Sequence, residues 1–201
     1  MAAAHTKHAL DALDGRLARS ERSRAAIVAA MLALVGEGVP YPTAEQVAAR
    51  ARVGIRTVFR HFRDMESLFA AMSARIEQEL APRFALPPVA GSLEDRLREL
   101  VARRCRLYET IAPYQRAGAL RRPESPFLRS RQAALVKRLR AYLFRWIPEL
   151  ERAREEVVEA LDLLTSFEAW DRLRSDQRLG PARARAALEC AVLALAPALR
   201  R

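Results

Sequence analysis

An all-α fold is what the sequence predicts, and three observations predict it. Apolar residues recur at helical spacing, the alternation that marks a half-buried strand is almost missing, and prolines and glycines cut the chain into pieces of helix length. At 201 residues, 51% hydrophobic and 29% charged, the composition is that of a soluble globular chain of one or two domains, long enough to bury a core.

Residues 1–19 show no sustained apolar face and are expected to form a flexible tail with at most one short helical turn. A first helix is predicted from about Ser20 to Val35, where Ile27, Met31, Leu34 and Val35 make one stripe and "GEGVPYP" ends it. Thr43 stands as the N-cap of "TAEQVAAR", and Gln46 three positions on completes a capping-box pattern. That helix is short because Arg52, Val53 and Gly54 follow within reach of a turn. The third helix runs from Gly54 to Arg63, and a longer fourth runs from near Asp64 to about Leu80, closed by Pro82 and the "LPP" at 86–88. Beyond Ser92, helices are expected near 92–110, 113–120, 126–146, 149–174 and 181–199, separated by Pro113, Pro123, Pro148 and Gly180-Pro181.

Several function classes lose support at once. Residues 1–19 lack the apolar stretch of a secretory signal, and the longest apolar run, "CAVLALAPAL" at 190–199, is about half of a bilayer span and contains Pro197. A cytoplasmic protein with no membrane partner is the expectation. Cys105 and Cys190 do not suggest a disulfide framework, and His5 and His8 are too few for a metal site. The sequence holds no H-E-x-x-H, G-x-S-x-G, Walker loop or Cys-x-x-Cys, so no catalytic residue, metal or cofactor is predicted.

The formal charge of +11 fits an anionic partner, whether nucleic acid or an anionic membrane face. Where the charge sits says more. "VGIRTVFRHF", residues 53–62, sets arginines tightly among core-forming side chains. On a helix these separate: Ile55, Val58, Phe59 and Phe62 fall on one face, and Arg56, Thr57, Arg60 and His61 on the other. From Gln46 to Arg63 the chain has arginines at 50, 52, 56, 60 and 63 and neither Asp nor Glu. A merely solvated helix would usually interleave both signs, gaining roughly 0.2–0.5 kcal/mol per i, i+4 pair. A short capped helix, a turn and a second short helix with a cationic face is the helix-turn-helix plan, whose second helix enters the DNA major groove; a plain helical bundle is the alternative.

The stretch "TAEQVAARARVGIRTVFRHFRDMESLF" resembles the signature of the tetracycline-repressor (TetR/AcrR) family. Thr43, Val47, Ala48, Ala51, Val53, Thr57, Val58, His61, Phe62 and Leu68 match it in order and spacing, and "RAAIVAAMLALVGEGV" fits the preceding helix. The likeness covers about residues 20–70; "FEAWDRLRSD" is a weaker likeness to the family's carboxy-terminal domain. Four positions depart from the signature: Arg52 replaces a Gly, Gly54 a Ser helix cap, Phe59 a Tyr and Met65 a Lys.

The resemblance implies a tail at 1–19, a helix-turn-helix DNA-binding domain at 20–66 and a helical ligand-binding and dimerisation domain at 67–201. Arg56 is expected to read a base edge, as a guanidinium can bond guanine O6 and N7 together. Thr43, Arg60 and His61 are expected at phosphates and Thr57 at a phosphate or a thymine methyl, with Arg52, Arg60 or Arg63 as substitute cations. Ile55 and Phe59 are placed for apolar contact with a methyl group or sugar, or for support of the motif. The implied partners are a palindromic operator in double-stranded DNA, a second copy of the chain and an unidentified small-molecule effector. Val157, Leu161, Leu164, Ala187, Ala191 and Leu195 are the candidate dimer residues. Cys105, Tyr108, Phe127, Phe144, Trp146, Phe167 and Trp170 are the candidate pocket residues, since aromatic side chains in the middle of helices often line one.

Overall fold

The computed structural model of the protein describes residues 2–200 and, within them, every side chain except those of 2–14, 16 and 85. Among the described residues there are helices and no strand. Ten α-helices follow one another: α1 (Ala2–Gly36), α2 (Ala44–Ala51), α3 (Ile55–His61), α4 (Met65–Ala85), α5 (Leu93–Arg121), α6 (Pro126–Trp146), α7 (Glu155–Leu164), α8 (Phe167–Asp171), α9 (Pro181–Ala194) and α10 (Ala196–Leu199). None of the described helices is long and apolar enough to cross a membrane.

The chain divides into two compact units, residues 1–81 and 82–201. In the first, α1 packs on α2 and α3. Ile27, Met31, Val47, Val58, Phe62, Leu68 and Met72 form its core, so the first turns of α4 belong to this unit. In the second, α5 packs against α6, α8 and α9, over a core that includes Leu97, Leu100, Tyr108, Leu143, Trp146, Leu161 and Trp170.

Local chemistry explains where the elements begin and end, including where sequence patterning misplaces them. The first helix begins at Ala2 rather than near Ser20. Residues 2–19 have no proline and are rich in alanine and leucine, so helix propensity carries the backbone where no apolar face announces it. The helices expected at 92–110 and 113–120 are one, α5, with Pro113 inside it. Pro113 removes one backbone hydrogen bond, yet Ile111, Ala112 and Ala117 stay buried on the same stripe, and that burial offsets the break.

Two long predicted helices are instead divided. Residues 149–174 become a 3-10 turn at Pro148–Arg152, then α7, α8 and a π turn at Arg172–Asp176. The break between α7 and α8 is a helix cap, since the Ser166 hydroxyl accepts from the Ala169 amide at 3.1 Å. Pro197, lacking an N–H, cannot bond back to Leu193, and the last segment splits at Leu195 into α9 and α10.

Candidate nucleic-acid interface

The turn that joins α2 to α3 is built by backbone chemistry. Thr43 Oγ1 accepts from the Gln46 amide at 3.3 Å while the Gln46 side chain accepts from the Thr43 amide at 2.8 Å, a reciprocal capping box. The other end of α2 closes on Arg52, whose backbone is left-handed, with φ 55° and ψ 42°. Its N–H reaches Ala49 O at 3.2 Å and the Val53 N–H reaches Ala48 O at 3.0 Å, so the last carbonyls of α2 are satisfied by the turn. A side chain at such a φ costs about 1–2 kcal/mol, which accounts for glycine at this position of the signature and makes Arg52 a strained substitute. Gly54 opens α3 without a side-chain cap, through backbone bonds to Thr57 and Val58.

The faces of α3 are not quite those the periodicity predicts. Val58 and Phe62 are buried at 1% and 3% exposure, but Ile55 and Phe59 stand out at 37% and 47%. The apolar face is therefore narrower, and the outward surface combines Ile55 and Phe59 with Arg56 and Arg60. Each pair is spaced i, i+4, giving an apolar stripe beside a cationic one.

The acid-free run of five arginines is also less unopposed than it reads. Arg50 pairs with Glu37 from the end of α1, and Arg63 Nε lies 3.0 Å from Asp64 Oδ2. Glu37 raises the Arg50 pKa, and the Asp64 carboxyl is held below its usual range, first by the Ser67 amide it accepts from and then by Arg63. Among the described residues Arg52, Arg56 and Arg60 have no carboxylate partner and are exposed. They are the cations left for a ligand.

Three further candidates differ from expectation. Thr57 is half-buried and His61 turns inward: its Nε2 is sealed from solvent with no hydrogen-bond partner, so a phosphate contact is left to Nδ1. Thr43 is exposed at the start of α2, but so is Glu45, whose pKa is lowered first by its own backbone amide and then by Thr43. An ionised carboxylate thus occupies the helix N-terminus that a phosphate would use. Tyr41, exposed at 48% two residues before the cap, is a surface aromatic that sequence reasoning missed, because an isolated tyrosine in a proline-flanked loop carries no periodic signal.

The family model described as "Bacterial regulatory proteins, tetR family" matches residues 27–72, the stretch from the middle of α1 into α4. These residues are a tetR-family DNA-binding domain. The chain is accordingly a DNA-binding transcriptional regulator. Among curated proteins none matches it by sequence. Solved structures do: a transcriptional regulator from Rhodococcus sp. Rha1, at TM-score 0.65 and 22% identity, covers 88% of this chain and 95% of its own. A tetR-family transcriptional regulator from Streptomyces coelicolor, at TM-score 0.68 and 21% identity, covers 87% of this chain and 80% of its own. At these identities the likeness is one of fold, and it extends well beyond the tetR-family domain into residues 82–201.

In that second unit the predicted pocket residues mostly serve the core. Tyr108, Trp146 and Trp170 are buried, and Tyr108, Phe167 and Trp170 stack with centroids 5.5–5.8 Å apart. Cys105 is buried, and burial pushes its thiol pKa up to about 11. Phe127 and Phe144 are half-buried beneath Arg131 and Arg140. A cavity of about 450 Å³ lies elsewhere, where the end of α4 meets α5 and α6, with Phe84, Arg103, Arg104, Leu107 and Tyr142 among its walls. None of the seven predicted residues borders it; Trp146 borders a second, more open cavity of about 760 Å³.

The predicted dimer residues divide as well. Val157 and Leu161 are buried within the chain at 5% and 0% exposure, so they serve its own core and offer no surface to a second copy. Leu164, Ala191 and Leu195 are half-buried and Ala187 is exposed; Leu163, on the same helix α7, is 65% exposed.

Proposed function

We propose that the protein is a homodimeric transcriptional repressor that reads a palindromic operator with α3 and leaves it when a small molecule binds within residues 82–201. The observation that supports this reading most is the exposed surface of α3: Arg56 and Arg60 without carboxylate partners beside exposed Ile55 and Phe59. Cations on a short helix beside a structured turn suit the major groove, and the apolar stripe suits thymine methyl groups and sugar edges. In this reading Arg56 reads a base edge, Arg52 and Arg60 neutralise phosphates, and His61 contacts one through Nδ1. One such helix reads too few base pairs to be selective, and two-fold pairing doubles the contact set. Exposed Leu163 and Ala187, with Leu164, Ala191 and Leu195, are the surface offered for that pairing.

The effector part follows from linkage: a ligand that binds the DNA-incompetent arrangement better than the competent one shifts the population by that difference alone. Selection of bound sequences from random duplex DNA tests the reading. The expected result is an inverted repeat, bound with an affinity that falls steeply as salt rises through counterion release. Recovery of no common sequence, or of a single unrepeated half-site, would overturn it.

A further inference from the structure

The cavity of about 450 Å³ at α4, α5 and α6 is lined by Arg83, Arg103, Arg104 and Arg106 and by a single acid, Glu99. Glu99 is already committed: its Oε1 accepts from Arg103 Nε at 2.9 Å and from Arg106 Nη2 at 3.0 Å. The lining therefore carries an excess of positive charge even after that pairing. Between the arginines are Phe84, Leu86, Leu107 and Leu139, so the walls are cationic and apolar together.

Arg104 is the unusual member. It is 3% exposed and, among the described residues, has no carboxylate partner. Its guanidinium donates to two main-chain carbonyls, Thr165 O and Leu139 O, each at 2.7 Å, and its Nε is sealed without a partner. Arg103, stacked 4.7 Å over Trp146, likewise has a sealed Nη1 with no partner. A buried charge is retained at a cost unless something of opposite sign completes it. Among the described residues no carboxylate completes Arg104, and a cavity of ligand size adjoins it.

We propose that this cavity is the effector site and that it takes an amphipathic organic carboxylate, its head facing Arg103 and Arg104 and its apolar body lying along Phe84, Leu86 and Leu107. A carboxylate accepts charge-assisted bonds from the guanidinium N–H groups that line the cavity, and partial burial strengthens such pairing. Arg83, exposed at the mouth where it donates to Thr110 Oγ1 at 3.3 Å, steers the acid inward. The assignment as effector site rests on the ligand-released repressor proposed above; the assignment as carboxylate site does not.

Titration calorimetry on the full-length protein, without DNA, tests the carboxylate site. The probes are octanoate and 1-naphthoate, each against its neutral alcohol, with octylammonium as the reversed charge. We expect at least one acid to saturate one site per chain at least tenfold more tightly than its alcohol, with octylammonium not binding. Arg103→Gln should weaken the acids at least fivefold and leave the alcohols unchanged. Arg83→Gln, at an exposed position that the fold does not need, should weaken them in the same direction. Failure of both acids to bind, equal affinity for acids and alcohols, or indifference of both variants would overturn the proposal. Operator binding by the unliganded protein, measured separately, isolates the parent reading: an acid that binds here yet leaves the DNA complex intact removes the effector role alone.

Discussion

Arginine is used in opposite ways in the two units. On α3 and the turn before it, Arg52, Arg56 and Arg60 are exposed and, among the described residues, have no carboxylate partner. In residues 82–201 arginine after arginine is tied down: Arg96 to Glu149, Arg116 to Asp171, Arg140 to Glu159 and Asp162, Arg174 to Glu109 and Arg185 to Glu189. A formal charge of +11 spread over the chain is silent about this difference. Pairing, rather than total charge, separates an arginine kept for a polyanion from one that braces a helical bundle. Arg104, buried against two main-chain carbonyls and, among the described residues, without a carboxylate, belongs to neither set.

The largest effect that bears on this contrast is expected at Arg104. Truncation to Ala removes two charge-assisted hydrogen bonds and opens a cavity between α5, α6 and the end of α7. A loss of about 3 kcal/mol in urea unfolding is expected. A change below about 1 kcal/mol would show that the buried charge is held at nearly its full desolvation cost. Arg56→Ala comes next and should leave folding intact, because the side chain is exposed. Its effect belongs to DNA: about 1–3 kcal/mol of operator affinity, with relaxed preference at one base pair of each half-site. Arg60→Ala should instead weaken all sequences alike and flatten the salt dependence, as a phosphate contact does.

Arg96→Gln probes the bracing set at a smaller scale. Arg96 is largely enclosed, pairs with Glu149 and also donates to Trp146 O at 3.0 Å, tying α5 to the turn after α6. The pair holds the Glu149 carboxyl below the usual range, chiefly through the Arg96 hydrogen bond. Its contribution is therefore present at neutral pH and lost as pH falls through the depressed folded-state value. A destabilisation of roughly 1 kcal/mol at pH 7 is expected, shrinking in acid, with operator affinity unchanged. Equal losses of DNA binding at Arg96 and Arg56 would erase the distinction between the two uses.

Much of this was legible in the sequence, and what was not has identifiable physical causes. The cap at Thr43, the short α2 and α3 follow from local signals whose spacing is fixed by the helical turn. The pairing of Arg50 with Glu37 was invisible because the two meet only once α1 and α2 pack. Ile55 and Phe59 share the periodic face of Val58, but a helix of seven residues touches its neighbours over too narrow an arc to bury them all. An apolar stripe does not say which chain will cover it, and Val157 and Leu161 are covered by their own. Helix α5 ran through Pro113 because its burial extends to both sides. The arginine-lined cavity has no local signature, because its walls come from α4, α5 and α6 and meet only in the fold.

The smallest expected effect lies where both uses of arginine meet, at Arg52. Its φ of 55° places a side chain in a conformation that glycine adopts freely. Arg52→Gly removes that cost but adds freedom to the unfolded chain, and the two nearly offset, leaving a gain of about 0.5 kcal/mol in thermal or urea unfolding. The same change removes one of the unpaired cations. If Arg52 meets a phosphate, operator binding should weaken while its dependence on log salt falls by about 0.9. A more stable protein with an unchanged salt slope would mean that Arg52 is tolerated at the turn without serving the interface, and the free cations of the reading head would then be Arg56 and Arg60. A variant that is less stable would show instead that the αL backbone of Arg52 is relieved elsewhere in the turn, by contacts of its side chain that glycine cannot make.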